Sequence, residues 1–204
     1  MKRLLYIVCL FFTFEVSAQE LRIAGECDYK INKKQNFCFS LEWRNKLEEE
    51  VSNYSFFRVD YSRKLNKHFK VKLTNRFSFE NNKLENTQLR STVDMIYKPH
   101  LSLDDGEISN RLRFQQKIKD WNETTYQLRE RIKFSYDLNK YVTPYVSAEL
   151  LYTFHCEDNY QSRVSLGSCF EIGEVTLELY YKSEMIPAYR TVLFNHIFGS
   201  VWKF

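Results

Sequence analysis

His68-Phe-Lys-Val-Lys-Leu-Thr-Asn-Arg-Phe-Ser-Phe-Glu80 reads as one sustained alternation. Phe69, Val71, Leu73, Phe77 and Phe79 share one parity, and His68, Lys70, Lys72, Thr74, Arg76, Ser78 and Glu80 share the other. A strand sends successive side chains to opposite faces, so one face here is apolar and the other charged. A helix would scatter both sets around its circumference. The segment is also about twice the usual globular strand length of ~5–6 residues. Pattern and length together predict a strand that crosses an apolar slab and has a wet interior behind it.

The same alternation extends in both directions. Phe37, Phe39, Leu41 and Trp43 alternate with Cys38, Ser40, Glu42 and Arg44; Leu112 and Phe114 oppose Arg111 and Arg113; Leu128 and Ile132 oppose Arg129 and Arg131. Ten such segments between residues 37 and 204 predict an all-β fold, an antiparallel up-and-down transmembrane β-barrel of about ten strands. Leu65-Asn66-Lys67, Leu138-Asn139-Lys140 and Ile172-Gly173-Glu174 read as tight turns at the periplasmic end. Longer loops are expected at the other end, near 49–53, 81–86, 155–159 and 184–190. The stretch from Pro99 to Gly106 interrupts the pattern where this register calls for a short turn. Residues 19–36 are polar and read as a periplasmic lead-in to the barrel.

Both ends of the chain fit this location. Met1-Lys-Arg starts a basic segment, an apolar run follows to Phe14, and Val16-Ser17-Ala18 supplies the small residues of a cleavage site. Residues 1–18 therefore read as a signal peptide cut after Ala18. The run falls short of the ~20 apolar residues that span a bilayer. At the other end Phe198, Trp202 and Phe204 share one face, and Phe204 is the last residue. A terminal Phe with alternating aromatics resembles the signal that outer-membrane barrels present to their assembly machinery. The expected partners are that machinery and outer-membrane lipid, and the expected state is a monomer in the bacterial outer membrane. The 30 basic and 26 acidic side chains are too evenly matched to point to nucleic acid.

Phe39-Ser-Leu-Glu-Trp43, Asn110-Arg-Leu-Arg-Phe-Gln-Gln116, Leu128-Arg-Glu-Arg-Ile132, Pro144-Tyr-Val-Ser-Ala-Glu-Leu150, Leu177-Glu-Leu-Tyr-Tyr181 and the aromatic terminus follow one another in that order. The succession resembles the bacterial outer-membrane barrel family known as domain of unknown function 2490, over residues 37–204. The cysteines and the 99–106 segment depart from the family pattern. The resemblance implies a barrel in the outer membrane and transfers no catalytic residue.

The chemistry sits on the inward face, where Lys and Arg outnumber Asp and Glu about two to one on this facing. Arg111 and Arg113 are expected beside Arg129 and Arg131 across a hairpin, with Glu42, Asp94, Glu149 and Glu178 as answering carboxylates. Two readings follow. One is restricted, anion-preferring passage of small solutes. The other is a lumen filled by its own charge pairs, which ten strands favour, because eight leave little more than side-chain space and open channels need about 16–18.

Two further functions compete. An outer-membrane lipid or peptide hydrolase would need a Ser and a His together on the outer face, and His68, His100, His155 and His196, with Ser102 and Ser200, are the residues to test. A soluble periplasmic ligand-binding barrel would turn its apolar face inward. Asn45, Asn75, Ser91, Gln116 and Glu130 are polar residues on the otherwise apolar face; all but Glu130 read as markers of the membrane boundary. Of the cysteines left after cleavage, Cys27 and Cys38 are the candidate disulfide, while Cys156 and Cys169 fall at opposite ends of one strand. No metal-ligand spacing is present and no cofactor is expected.

Overall fold

The structure, a computed structural model, describes residues 19–46, 52–80, 83–99, 105–121, 123–154, 160–188 and 191–204. The expected leader, His100, Ser102, His155 and Cys156 lie outside the described residues. Eleven strands are present among those described: β1 (Glu20–Lys30), β2 (Gln35–Lys46), β3 (Ser52–Lys64), β4 (Phe69–Glu80), β5 (Lys83–Tyr97), β6 (Gly106–Lys119), β7 (Glu123–Tyr136), β8 (Val142–Thr153), β9 (Tyr160–Ile172), β10 (Val175–Ala188) and β11 (Thr191–Lys203). Each pairs with the next in the chain, antiparallel, and β1 returns to β11 to close a barrel.

The additional strand lies in the segment read as a lead-in. Glu20, Arg22 and Ala24 point inward and are buried, while Leu21 and Ile23 point outward and are 39% and 44% exposed. The alternation is there, but it is short and starts at Glu20, so the polar composition of 19–36 hid it. An odd number of strands joined by antiparallel hairpins must close with a parallel seam. That seam runs from Glu20–Ile197 to Glu26–Lys203 and is the shortest pairing in the barrel. Its end is fastened by Phe204, whose N–H donates to Glu26 O at 2.9 Å and whose carbonyl accepts from Asp28 N at 3.3 Å.

The facing follows the opening segment. On β4 Leu73, Phe77 and Phe79 are outward and exposed, while Thr74 and Ser78 are inward and buried. The rule extends around the barrel: Asp60, Asp94, Gln115 and Glu149 are buried inside, and Phe39, Met95, Phe114, Ile132, Leu166 and Leu179 are exposed outside. A water-soluble ligand carrier has the reverse arrangement.

The turns use local chemistry. Asn66 Oδ1 accepts from His68 N and Phe69 N, Asn139 Oδ1 from Tyr141 N, and Asn32 Oδ1 from Lys34 N and Gln35 N. The repeated Leu-Asn-Lys is therefore one asparagine turn used twice, with Asn32 supplying a third. Asp120 and Trp121, in the short connection between the paired Lys119 and Glu123, both have positive φ, 47° and 62°. The expected asymmetry of loop length does not hold. β5 starts at Lys83 and β10 runs to Ala188, so parts of 81–86 and 184–190 are strand. Strands that project beyond the apolar band are polar on both faces, and polarity alone made them look like loops.

Candidate functional site

The barrel interior is a charged surface, and its two halves differ. The inward positions of β4–β7 carry Lys70, Lys72, Arg76, Arg90, Arg111, Arg113, Lys117, Arg129, Arg131 and Lys133, with Asp94 as the carboxylate in the middle of the wall and Glu107 and Glu123 near the strand ends. The remaining half, from β8 through β11 to β1–β3, alternates in sign: Glu149, Arg163, Glu178, Lys182, Glu184, Lys203, Glu20, Arg22, Glu26, Glu42, Arg44, Arg58 and Asp60 all face inward.

The hairpin register brings the four expected arginines together, Arg111 opposite Arg131 and Arg113 opposite Arg129. Two of the expected carboxylates answer them. Arg113 donates from Nε and Nη2 to Asp94 Oδ1 and Oδ2, both at 2.6 Å, a planar two-bond fork. Glu149 is the hub of the other half's edge: it accepts from Arg111 Nη2 at 2.9 Å, from Arg129 Nε at 2.9 Å with a second Arg129 contact, and from Arg163 Nη1 at 3.3 Å. It is 7% exposed, and removing one member of a buried pair costs about 3–5 kcal/mol because its partners stay charged and dry.

The other two expected carboxylates serve elsewhere. Glu42 holds Arg44 at 2.6 Å and reaches Arg76 at 3.8 Å. Glu178 accepts from Lys203 Nζ and the Tyr145 hydroxyl, both at 2.6 Å. Several paired groups were not singled out from the sequence. Asp60 binds Arg58 at 3.1 Å, Lys72 at 2.7 Å and the Thr74 hydroxyl at 2.5 Å, and Glu184 binds Arg163 at 3.0 Å. Parity placed them inside; only the register shows which charges meet.

Several cations on β4–β7 lack such an answer. Arg90 contacts Gln88 Oε1 at 3.1 Å, and its Nε has no partner. Arg129, Arg44, Arg163 and Arg113 all repel it, although Arg44 is on β2 and Arg163 on β9. Among the described residues no carboxylate forms an ion pair with Arg90, Arg131 or Lys117, and Arg131 Nε is also unmet. Arg76 and Arg44 stack on the buried Phe56 ring at 4.1 and 4.2 Å, which supports two guanidiniums without neutralising them.

The other candidates separate. His196 faces outward, and its Nδ1 meets the Tyr181 hydroxyl at 2.6 Å with the rings stacked; Ser200 lies opposite Leu179. His68 Nδ1 contacts the Lys98 carbonyl at 3.0 Å at a strand end. Cys27 pairs in register with Phe39, and Cys38 with Asp28, so the two thiols lie on opposite faces of the sheet. Cys27 is exposed outside, Cys38 is buried inside, and both are free, which removes the expected disulfide. Sequence proximity suggested that pair; a one-residue offset in parity forbids it. Phe198, Trp202 and Phe204 share the outward face of β11, with Phe198 against Tyr181 at 5.2 Å between ring centroids.

A family model described as a protein of unknown function (DUF2490) matches residues 25–188. Among solved structures, the NanC porin in a rhombohedral crystal form is similar at a TM-score of 0.54 with 12% identity, over 81% of this chain and 87% of that one. No curated protein matches the sequence. The likeness to the porin concerns the fold, and the fold is consistent with an outer-membrane location.

Proposed function

This chain belongs to the DUF2490 family of unknown function, so its own lumen must supply the reading, and we propose that it is an outer-membrane barrel giving restricted, anion-preferring passage to small solutes. One observation carries this: on the inward wall of β4–β7, no carboxylate among the described residues forms an ion pair with Arg90, Arg131 or Lys117. A wall held by charge pairs alone would be neutral in sum and would need no surplus. Fixed positive charge in a narrow, low-dielectric passage raises the local concentration of anions and repels cations. Eleven strands fall between the side-chain-filled barrels of about eight and the open channels of about 16–18, which supports a passage limited by side chains. The porin-like fold supports a channel or binding role in the same way.

Proteoliposome swelling tests the reading. Small organic monoanions are expected to enter faster than neutral solutes of equal size, and matched cations slowest. Replacing Arg111 and Arg129 together should reduce the anion advantage. Equal entry for all three classes, or none for any, would contradict the proposal. Lipid or peptide turnover by the wild-type barrel, lost in His196→Ala, would establish the hydrolase instead.

A further inference from the structure

One in-register row of the inner wall places three cations in succession. Arg76 on β4 lies opposite Arg90 on β5, and Arg90 lies opposite Lys117 on β6. Side chains directly opposite start from Cβ atoms about 4.5–5.5 Å apart, and like charges so placed destabilise a sheet. Arg58 on β3 extends the row by one strand, but Glu26 and Asp60 both hold it. Other facing cations are answered in the same way. Glu20 and Glu42 serve Arg22 and Arg44, and Asp94 and Glu149 serve Arg113 and Arg129.

The row of three has no such answer. Glu42 is 3.8 Å from Arg76 and is already committed to Arg44 at 2.6 Å. Gln88 Oε1, a neutral acceptor, takes one bond from Arg90 Nη2 at 3.1 Å. The Nε–H groups of Arg76 and Arg90 are both buried without an acceptor. Glu123 on β7 stands opposite Lys119, and among the described residues no ion pair joins it to Lys117. Arg129, Arg44, Arg163 and Arg113 add to the positive field at Arg90. The Phe56 ring holds the Arg76 guanidinium in place at 4.1 Å. Buried charge is costly unless opposite charge meets it, so this row calls for an anion.

We propose that Arg76, Arg90 and Lys117 form a binding site for a phosphate group, either free phosphate or the monoester end of a small solute. The site rests on the anion-preferring reading of the lumen. Charge and valence both match. A phosphate monoester carries roughly −1.5 to −2 charges at pH 7 and presents three strong acceptor oxygens. Three cations on adjacent strands can each take one of those oxygens, the guanidiniums as planar forks. A carboxylate has two coplanar oxygens, and one arginine uses up both, as Arg113 does with Asp94. Lipid phosphates stay outside the barrel, whereas this row faces the lumen. Lys117 lies one inward step from the paired Lys119 and Glu123, so a solute entering at that mouth meets the row early.

Thermal unfolding of the full-length, detergent-refolded barrel at fixed ionic strength tests this, with inorganic phosphate, glycerol 3-phosphate, succinate and chloride as probes. One or both phosphates should raise the midpoint saturably, beyond succinate and chloride, and the tighter of the two names the source. The Arg90→Gln, Lys117→Gln double variant should weaken that apparent affinity about tenfold or more. Lys140→Gln, in an exposed turn, should leave it unchanged. If the double variant fails to fold, Lys117→Gln alone decides, with a weakening of about threefold. No saturable shift from either phosphate, an equal shift from succinate, or an affinity indifferent to the substitutions overturns the proposal. The midpoint reads occupancy, not flux. Saturable phosphate binding to a barrel that admits no solute in swelling keeps the site and removes the passage. Anion-selective swelling without phosphate binding keeps the passage and removes the site.

Discussion

The β4–β7 half of the barrel and the half from β8 round to β3 share one backbone plan and differ in almost everything the side chains do. Inside, the first half is a basic wall with Asp94 as its internal carboxylate, and the second is a lattice of alternating sign. Outside, the first half carries Asn75, Ser91, Gln116, Asn110 and Glu130, and the second carries Asn45, Asn53, Gln35 and Arg63 near the ends of β2 and β3, with serines and His196 on β8–β11. The second half is also locked by shape. Tyr145 lies flat over Gly167, and Tyr180 over Gly199, so that a Cβ at either glycine would come within 2.6 Å and 2.3 Å of the ring.

Variants can break that contrast. The largest effect is expected at Glu149, the carboxylate that ties Arg111 and Arg129 of the basic wall to Arg163 of the other. Glu149→Leu should lower unfolding free energy by about 3–5 kcal/mol in a urea titration of the detergent-refolded barrel. A loss below about 1 kcal/mol would mean that these arginines are solvated rather than paired.

Next comes Gly167→Ala. Its new methyl group meets the Tyr145 ring and the Leu179 carbonyl oxygen at 2.7 Å, and backbone cannot swing aside. A loss of about 1–3 kcal/mol is expected in the same titration. Arg90→Gln should act in the opposite sense: it removes a charge that its neighbours repel, so stability should hold within about 0.5 kcal/mol while ion selectivity drops. Marked destabilisation would show that Arg90 has a partner after all. The smallest effect is expected for Cys27→Ser, which should leave non-reducing gel mobility and the unfolding midpoint unchanged, since the thiol faces away from Cys38.

Much of this was legible in the residues. Parity alone placed the apolar half outside and Arg111, Arg113, Arg129, Arg131, Glu42, Asp94, Glu149 and Glu178 inside, because a period of two leaves little freedom once one face must meet hydrocarbon. Parity carries no information about which inward charges touch. Register does, and register depends on where every turn falls. Hence Asp94 and Glu149 could be grouped with the arginines, but Glu178 with Lys203, or Asp60 with Lys72, could not be foreseen. Strand β1 was missed because its alternating part is brief and its remainder, Glu26 to Lys30, extends past the apolar band. Glu130 stood out in the sequence as a charge out of place, and its bond to Asn110 became visible only when β6 and β7 were set side by side.

The reversal potential of the refolded barrel in a planar bilayer under a KCl gradient tests the surplus of positive charge on the β4–β7 wall most directly. Wild type should be anion-selective, and the Arg90→Gln, Arg131→Gln double variant should move the potential toward zero. A cation-selective wild type, or a potential indifferent to both substitutions, would contradict the account.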